Sequence, residues 1–361
     1  MAFIPVTKPF LPEFELYKTM LEDIWARNYL TNNGPLVNKL EKEVSEFLGA
    51  VSNKYVTNGT IALQLALRAL DVKGEVITTP YSYVATTSSI LWEGSEPIFV
   101  DVLRNGNINP DLIEAAITEN TKAIMATHVY GYPCEIEKIE TIAKKHNLKV
   151  IYDAAHAFGV KYNKQSIFNF GDASTVSYHA TKLFHTVEGG AVFSPNPKFL
   201  DIIDIKRAFG HRGDVHLDLG INGKQSELHA AMGLVNLPQV NKQISRRKEI
   251  YNRYLQELGE KLEFVHSQFP ENISYNFAYA PVLLPEGSDT ENFQKLLAEK
   301  GVGVRRYFYP SLNTLPYLSK EQKRSCPVSE ELANRAICIP IYALLKDSEQ
   351  EFVIQCLKQS L

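Results

Sequence analysis

The sequence predicts an α/β fold: a mostly parallel sheet with helices on both faces, followed by a smaller C-terminal α/β domain. Three observations carry this. Between residues 75 and 152, short apolar runs alternate with amphipathic segments of helix length, the rhythm of repeated β-α-β units. Tyr83, Asp153, His156, Ser177 and Lys182 fall at or just after the ends of those runs. Sheets of this kind bind ligands at the carboxyl ends of their strands. The chain has 361 residues, 45% hydrophobic and 22% charged, which suits an ordinary globular protein of two or three domains with a large shared core.

The elements follow in order. Pro5, Pro9 and Pro12 punctuate an irregular opening, and a helix is expected over residues 14–25. The polar turn at 29–35, which contains Asn32, Asn33 and Gly34, is either a plain connector or a loop that offers amides to a ligand phosphate. Leu36, Leu40, Val44 and Phe47 recur at helical spacing, and Gly49 ends that helix. The next helix opens at Val56-Thr57-Asn58-Gly59-Thr60 and carries Leu63, Leu67 and Leu70 on one stripe. Its start reads either as an ordinary N-cap or as an anion site, because free N–H groups and the positive end of the dipole meet there.

Strands are expected over 75–79, 97–102, 123–127 and 149–152. The intervening helices start within 81–86, at Asn109-Pro110 with proline in the first turn, and around Ile136, Ile139 and Ile142. The stretch 176–193, VSYHATKLFHTVEGGAVF, then sets Lys182 in a turn between two apolar strands. A buried ammonium is costly, and a desolvated amine loses its proton more easily and attacks carbonyls. The alternative is a surface lysine at a strand-to-loop corner.

A polar region at 207–225 precedes a helix near Ser226 with Leu228, Ala231 and Leu234, and a charged helix follows over 241–258. The domain boundary is expected there, giving a large unit 1–240 and a small unit 241–361. The small unit has a strand-like run at 277–284 and a helix at 291–299, followed after residues 302–310 by the segments 330–336 and 337–341.

Net charge is -3, which gives no electrostatic case for nucleic acid or an anionic membrane. Cys134, Cys326, Cys338 and Cys356 form no C-x-x-C pair, which argues against a structural zinc site and for free thiols in a reducing compartment. No basic stretch followed by a long apolar run opens the chain, and no run approaches the ~20 apolar residues of a membrane span. A cytoplasmic protein without metal is expected.

A lysine amine, an aspartate at a strand end, an aromatic residue and a Gly-Thr helix start with a nearby serine meet the needs of pyridoxal 5′-phosphate. The lysine forms a Schiff base with the aldehyde, and the aspartate keeps the pyridine nitrogen protonated. Five motifs extend the pattern: TNGTIALQLAL (57–67), TTPYSYVATTSSI (78–90), VIYDAAHAFG (150–159), SYHATKLFHTVEGG (177–190) and GINGKQSELHAAMG (220–233). With them the chain resembles the DegT/DnrJ/EryC1/StrS sugar aminotransferases over nearly its whole length. That resemblance implies fold type I of the pyridoxal phosphate enzymes, with a seven-stranded sheet.

It also implies roles. Lys182 would be the Schiff-base lysine and proton shuttle. Asp153 would pair with the ring nitrogen, His156 would contact the ring's oxygen side, and Tyr83 would stack on the ring. Gly59, Thr60 and Ser177 would bind the phosphate. Asn222 would reach the phosphate in the neighbouring subunit of a homodimer. His156 stands where many relatives have glutamine, and either residue donates a hydrogen bond. L-glutamate would give the amino group and a nucleotide-linked keto-sugar would receive it.

The stretches 4–12, 29–37 and 305–317 resemble the VioA-type subgroup, which aminates C4 of a dTDP-linked 4-keto-6-deoxyglucose for surface polysaccharide such as O-antigen; amination at C3 is the alternative. Asn33, Arg305 and Tyr309 are the candidate sugar-nucleotide contacts, although the arginine reads equally as a surface charge and the tyrosine as core. Lys182 argues against the related sugar dehydratases, in which histidine stands at that position. The missing G-x-G-x-x-G after the first strand argues against a nicotinamide enzyme, and the charge balance gives a non-catalytic, DNA-binding regulator no support.

Overall fold

The apolar runs of the first two thirds of the chain become one seven-stranded sheet, seen in a computed structural model that describes residues 3–361. The first two residues of the expected 1–240 unit lie outside the described residues. The strands are β1 (Asn53–Val56), β2 (Glu75–Thr78), β3 (Glu96–Phe99), β4 (Thr121–Thr127), β5 (Lys149–Asp153), β6 (Ala173–Ser177) and β7 (Gly190–Phe193). Their order across the sheet is β1-β7-β6-β5-β4-β2-β3. Strands β2 to β6 pair in parallel, whereas β7 runs antiparallel to both β6 and β1. The reversal has a physical cause. A parallel return needs a crossover of a dozen or more residues, usually a helix, and the segment between Ser177 and Gly190 turns back at the same sheet end, carrying Lys182.

Helices cover both faces, so the strands are buried on both sides and read as continuous apolar runs. One face carries α2 (Pro35–Leu48), α5 (Ile136–His146) and α7 (Glu227–Asn236), which contribute Leu40, Val44, Ile139 and Leu234 to the core. The other carries α3 (Gly59–Ala69) and α6 (Pro197–Lys206), with Leu63, Leu67, Phe199 and Ile203. Each fully buried leucine contributes about 2 kcal/mol. The helix α1 (Phe14–Arg27) buries Ile24 and leaves Phe14, Leu16 and Trp25 exposed, whereas α4 (Ala85–Trp92) follows β2 closely.

A second core gathers around α8 (Val240–Leu258), with Ile250, Tyr251 and Tyr254 against Val353 and Leu357 of α11 (Asp347–Ser360). A small antiparallel sheet of β8 (Glu263–Phe264), β9 (Pro281–Leu283) and β10 (Ala336–Cys338) packs with it, flanked by α9 (Thr290–Glu299) and α10 (Pro327–Arg335). Ile4 joins this core through a bridge to Val302, so the N-terminal segment ends against the C-terminal part of the chain.

Several elements differ from the sequence expectation. β1 precedes the Gly59-Thr60 helix, β8 opens the small sheet, and α11 closes the chain; none of the three is expected from the sequence. The helix expected at Asn109-Pro110 is instead two short 3-10 turns, Pro110–Leu112 and Glu114–Ala116. Asn109 does cap Asp111 N, but the chain is extended again at Ile117 and enters β4 at Thr121, which leaves no room for further turns.

Candidate active site

The carboxyl ends of β1, β2, β5 and β6 open onto a cavity of about 560 Å³. Its first wall is the start of α3. Asn58 is extended and its side chain accepts a hydrogen bond from Ile61 N at 2.9 Å, so the Gly59 and Thr60 amides precede the first intrahelical bond. Gly59 is required by close approach, since a Cβ there would lie 2.9 Å from Cβ of Ser177. Gly190 is equally constrained, because its Cβ would fall 2.6 Å from the Asn58 carbonyl carbon. Two glycines thus let the helix start, the end of β6 and β7 meet, and the Ser177 hydroxyl sits beside the free amides.

The floor is Asp153, the last residue of β5, 5% exposed. Its Oδ2 accepts from Thr86 Oγ1 at 2.7 Å and its Oδ1 from Ala155 N at 3.1 Å. Burial pushes this carboxyl above its usual range, opposed by those two donors and by the charge of Lys182. His156 is buried too, and burial holds its imidazole well below its ordinary pKa, so it is neutral. Its Nδ1 is buried without a partner, which leaves that atom free for a ligand oxygen or proton.

Lys182 projects from the turn after β6. Its Nζ donates to the Tyr279 hydroxyl at 3.1 Å. Burial lowers its pKa to about 8; the Asp153 charge resists that fall and Arg305 adds to it. Tyr279 stands edge-on to His156, with ring centroids 4.9 Å apart, and to Tyr307 at 5.1 Å. Tyr83, Arg305, Tyr307 and Phe308 complete the wall, and the Arg305 guanidinium lies 5.0 Å from the Tyr307 ring centre.

These features suit a small phosphate-bearing aldehyde with a ring nitrogen. The helix-start amides, Thr60 and Ser177 would take its phosphate, Asp153 its nitrogen, His156 Nδ1 its ring oxygen, and Lys182 its aldehyde.

A profile of the DegT/DnrJ/EryC1/StrS aminotransferase family matches residues 14–358. The chain belongs to that family. Within it, a dTDP-4-amino-4,6-dideoxy-D-glucose transaminase of Shigella dysenteriae is 41% identical over 98% of both chains. A dTDP-3-amino-3,6-dideoxy-alpha-D-galactopyranose transaminase of Aneurinibacillus thermoaerophilus is 31% identical over 90% of both. Among solved structures, DesI in the presence of its TDP-sugar product superposes with a TM-score of 0.94 at 28% identity, covering 99% of this chain and 93% of that one.

Of the residues expected from sequence, Gly59, Thr60, Tyr83, Asp153, His156, Ser177, Lys182 and Arg305 line this one cavity. Asn33, Asn222 and Tyr309 are outside its wall. Asn33 lies in the turn before α2 with φ 56°, and its Oδ1 is buried without a partner. Asn222 is exposed, accepts from Lys224 Nζ at 3.0 Å, and sits on a bridge with Ala208. Tyr309 is half exposed beneath the Arg306 guanidinium, 3.7 Å from its ring centre. Two contacts escaped the sequence reading: Thr86, whose hydroxyl looked like any helix-start threonine, and Tyr279, which reaches Lys182 from far along the chain. Among the described residues, no group of three or more His, Cys, Asp or Glu side chains could hold a metal ion, and no helix is long and apolar enough to cross a membrane.

Proposed function

We propose that this chain transfers the amino group of L-glutamate to C4 of dTDP-4-dehydro-6-deoxyglucose, giving dTDP-4-amino-4,6-dideoxyglucose. The observation that carries the reading is the full-length likeness, at 41% identity, to a transaminase named for that product. The transaminase named for a 3-amino sugar stands further off at 31%. We further read the protein as a cytoplasmic homodimer with two shared active sites, serving synthesis of a surface polysaccharide such as O-antigen. Each chain is read as a large unit 1–240 and a small unit 241–361.

Pyridoxal 5′-phosphate, when bound, supplies an aldehyde that captures amines and a ring that withdraws electrons from the carbon next to nitrogen. The chain's residues do the rest. Lys182 would hold the cofactor through Nζ, and its pKa of about 8 leaves a useful fraction of neutral amine near neutral pH. As a free amine, the same Nζ would take the proton from the donor's α-carbon and hold it within the cavity, and in the second half-reaction it would carry a proton the other way. Tyr279 Oη accepts from the free ammonium and keeps it aimed into the site. Asp153 would hold the ring nitrogen's proton by ion pairing. Arg305, for which no carboxylate partner is found among the described residues, sits at the cavity wall and suits a diphosphate or carboxylate. Asn33 and Tyr309 are read as further substrate contacts, and Asn222 as a phosphate ligand in the neighbouring subunit's site.

The test is incubation with glutamate and either the 4-keto or the 3-keto 6-deoxy dTDP-sugar, with products assigned by NMR. Amination of the 4-keto isomer is expected. Amination of the 3-keto isomer alone would overturn the regiochemistry and leave the aminotransferase standing.

A further inference from the structure

The motif TTPYSYVATTSSI supplies more than the ring-facing Tyr83. Ser82 and Thr86, four residues apart where the β2 end becomes α4, are 2% and 0% exposed, and Thr127 at the end of β4 is 1% exposed. Their hydroxyls form a continuous chain to the carboxylate. Thr127 Oγ1 donates to Ser82 Oγ at 3.1 Å, Ser82 and Thr86 hydroxyls are 2.8 Å apart, and Thr86 Oγ1 donates to Asp153 Oδ2 at 2.7 Å.

Each hydroxyl has one proton to give. Thr86 spends its proton on the carboxylate, so the hydrogen between Ser82 and Thr86 must come from Ser82. Ser82 must then be the acceptor toward Thr127. All three donors therefore point toward Asp153. Hydrogen bonds aligned in this way polarise one another, and a donor to an ionised acceptor is about twice as strong as a neutral pair. The relay also turns the carboxylate: with Oδ2 taken by Thr86 and Oδ1 by Ala155 N, the group is held from two sides at the cavity floor.

We propose that Thr127, Ser82 and Thr86 are positioning residues that fix Asp153 as an oriented, ionised acceptor for the nitrogen of the bound cofactor. The proposal rests on the pyridoxal phosphate reading above. Loss of the terminal donor weakens the Asp153 contact; loss of a donor further back removes only its polarisation, so the effects fall off along the chain.

The experiment measures cofactor affinity and steady-state kinetics for wild type, Thr86→Val, Thr86→Ser, Ser82→Ala and Thr127→Val. Affinity is read by titrating the cofactor-free proteins with pyridoxal phosphate and following absorbance, with circular dichroism to check the fold. Thr86→Val keeps the shape of threonine and should weaken cofactor binding and lower kcat about tenfold or more, with KM for both substrates within about twofold. Thr86→Ser should restore both to within about threefold of wild type, and Ser82→Ala and Thr127→Val should show progressively smaller losses. Two outcomes overturn the relay: Thr86→Val binding cofactor and turning over like wild type, or Thr86→Ser as impaired as Thr86→Val, which would make the methyl group the working part. Failure of the wild type to bind pyridoxal phosphate would instead sink the cofactor reading.

Discussion

Raising the pH through 8 should switch on cofactor capture by the cofactor-free protein. Only the neutral amine attacks an aldehyde. An ordinary lysine with a pKa near 10.5 is neutral in about one molecule in a thousand at about pH 7.5. Lys182, lowered to about 8, is neutral in about a quarter, a gain of about two hundredfold at the same pH. The sign follows from the cause: burial disfavours the ammonium, so the reactive form is present above about pH 8 and disappears below it. The same shift makes the cofactor-free protein gain stability as pH rises from about 8 to 10.5, where the folded state holds fewer protons on this amine than the unfolded one. The assay mixes cofactor-free protein with pyridoxal phosphate and follows the absorbance change at a series of pH values. The rate should rise about tenfold per unit below the midpoint and level off above it. Asp153→Asn should move the midpoint down, because the carboxylate charge supports the ammonium, and Arg305→Gln should move it up. A rate that keeps climbing past about pH 10 without bending would refute the argument, since Lys182 would then titrate like any exposed lysine.

Further expectations concern other parts of the account. Asp153→Asn should cut turnover by about a hundredfold or more with little change in melting temperature, because an amide cannot hold the ring nitrogen's proton by charge; unchanged activity with a lower melting temperature would leave Asp153 only its structural bonds to Ala155 N and Thr86. Glu227 is fully buried and accepts from Leu36 N at 3.0 Å, Val37 N at 2.9 Å and Arg27 Nη1 at 3.1 Å. Glu227→Ala should therefore destabilise the protein by about 3 kcal/mol in denaturant titrations, and a loss below about 0.5 kcal/mol would show that the α2 cap is dispensable. The heterodimer of co-expressed Lys182→Ala and Asn222→Ala chains should regain about one working site if Asn222 serves the neighbouring subunit; a fully active monomer in sedimentation would count against the shared site.

The large features were legible because they repeat. Strand ends collect functional groups in a parallel sheet, so Asp153, Ser177 and Lys182 could be paired with a common ligand from their positions alone. Gly59 and Thr60 were ambiguous between cap and anion site until the close approach of Ser177 brought them to the same wall. β1 was missed because four residues after a loop leave no alternation to count. Thr86 and Tyr279 were invisible for different reasons. Thr86 stands behind the Asp153 carboxylate, where a hydroxyl has no distinctive spacing. Tyr279 depends on how the C-terminal part of the chain packs over the sheet, and that contact spans most of a hundred residues of intervening chain. The buried Glu227 was likewise hidden, since its partners lie on α1 and α2 at the opposite end of the large unit.

The most direct measurement treats the protein with its bound cofactor with borohydride, digests it, and locates the modified peptide by mass spectrometry. The reduced pyridoxyl phosphate group should be found on Lys182, and Lys182→Ala should fold, lose turnover and take no label. Label on another lysine, or a Lys182→Ala protein that still transaminates near the wild-type rate, would contradict the assignment of the cavity at the ends of β1, β2, β5 and β6 as the site of reaction.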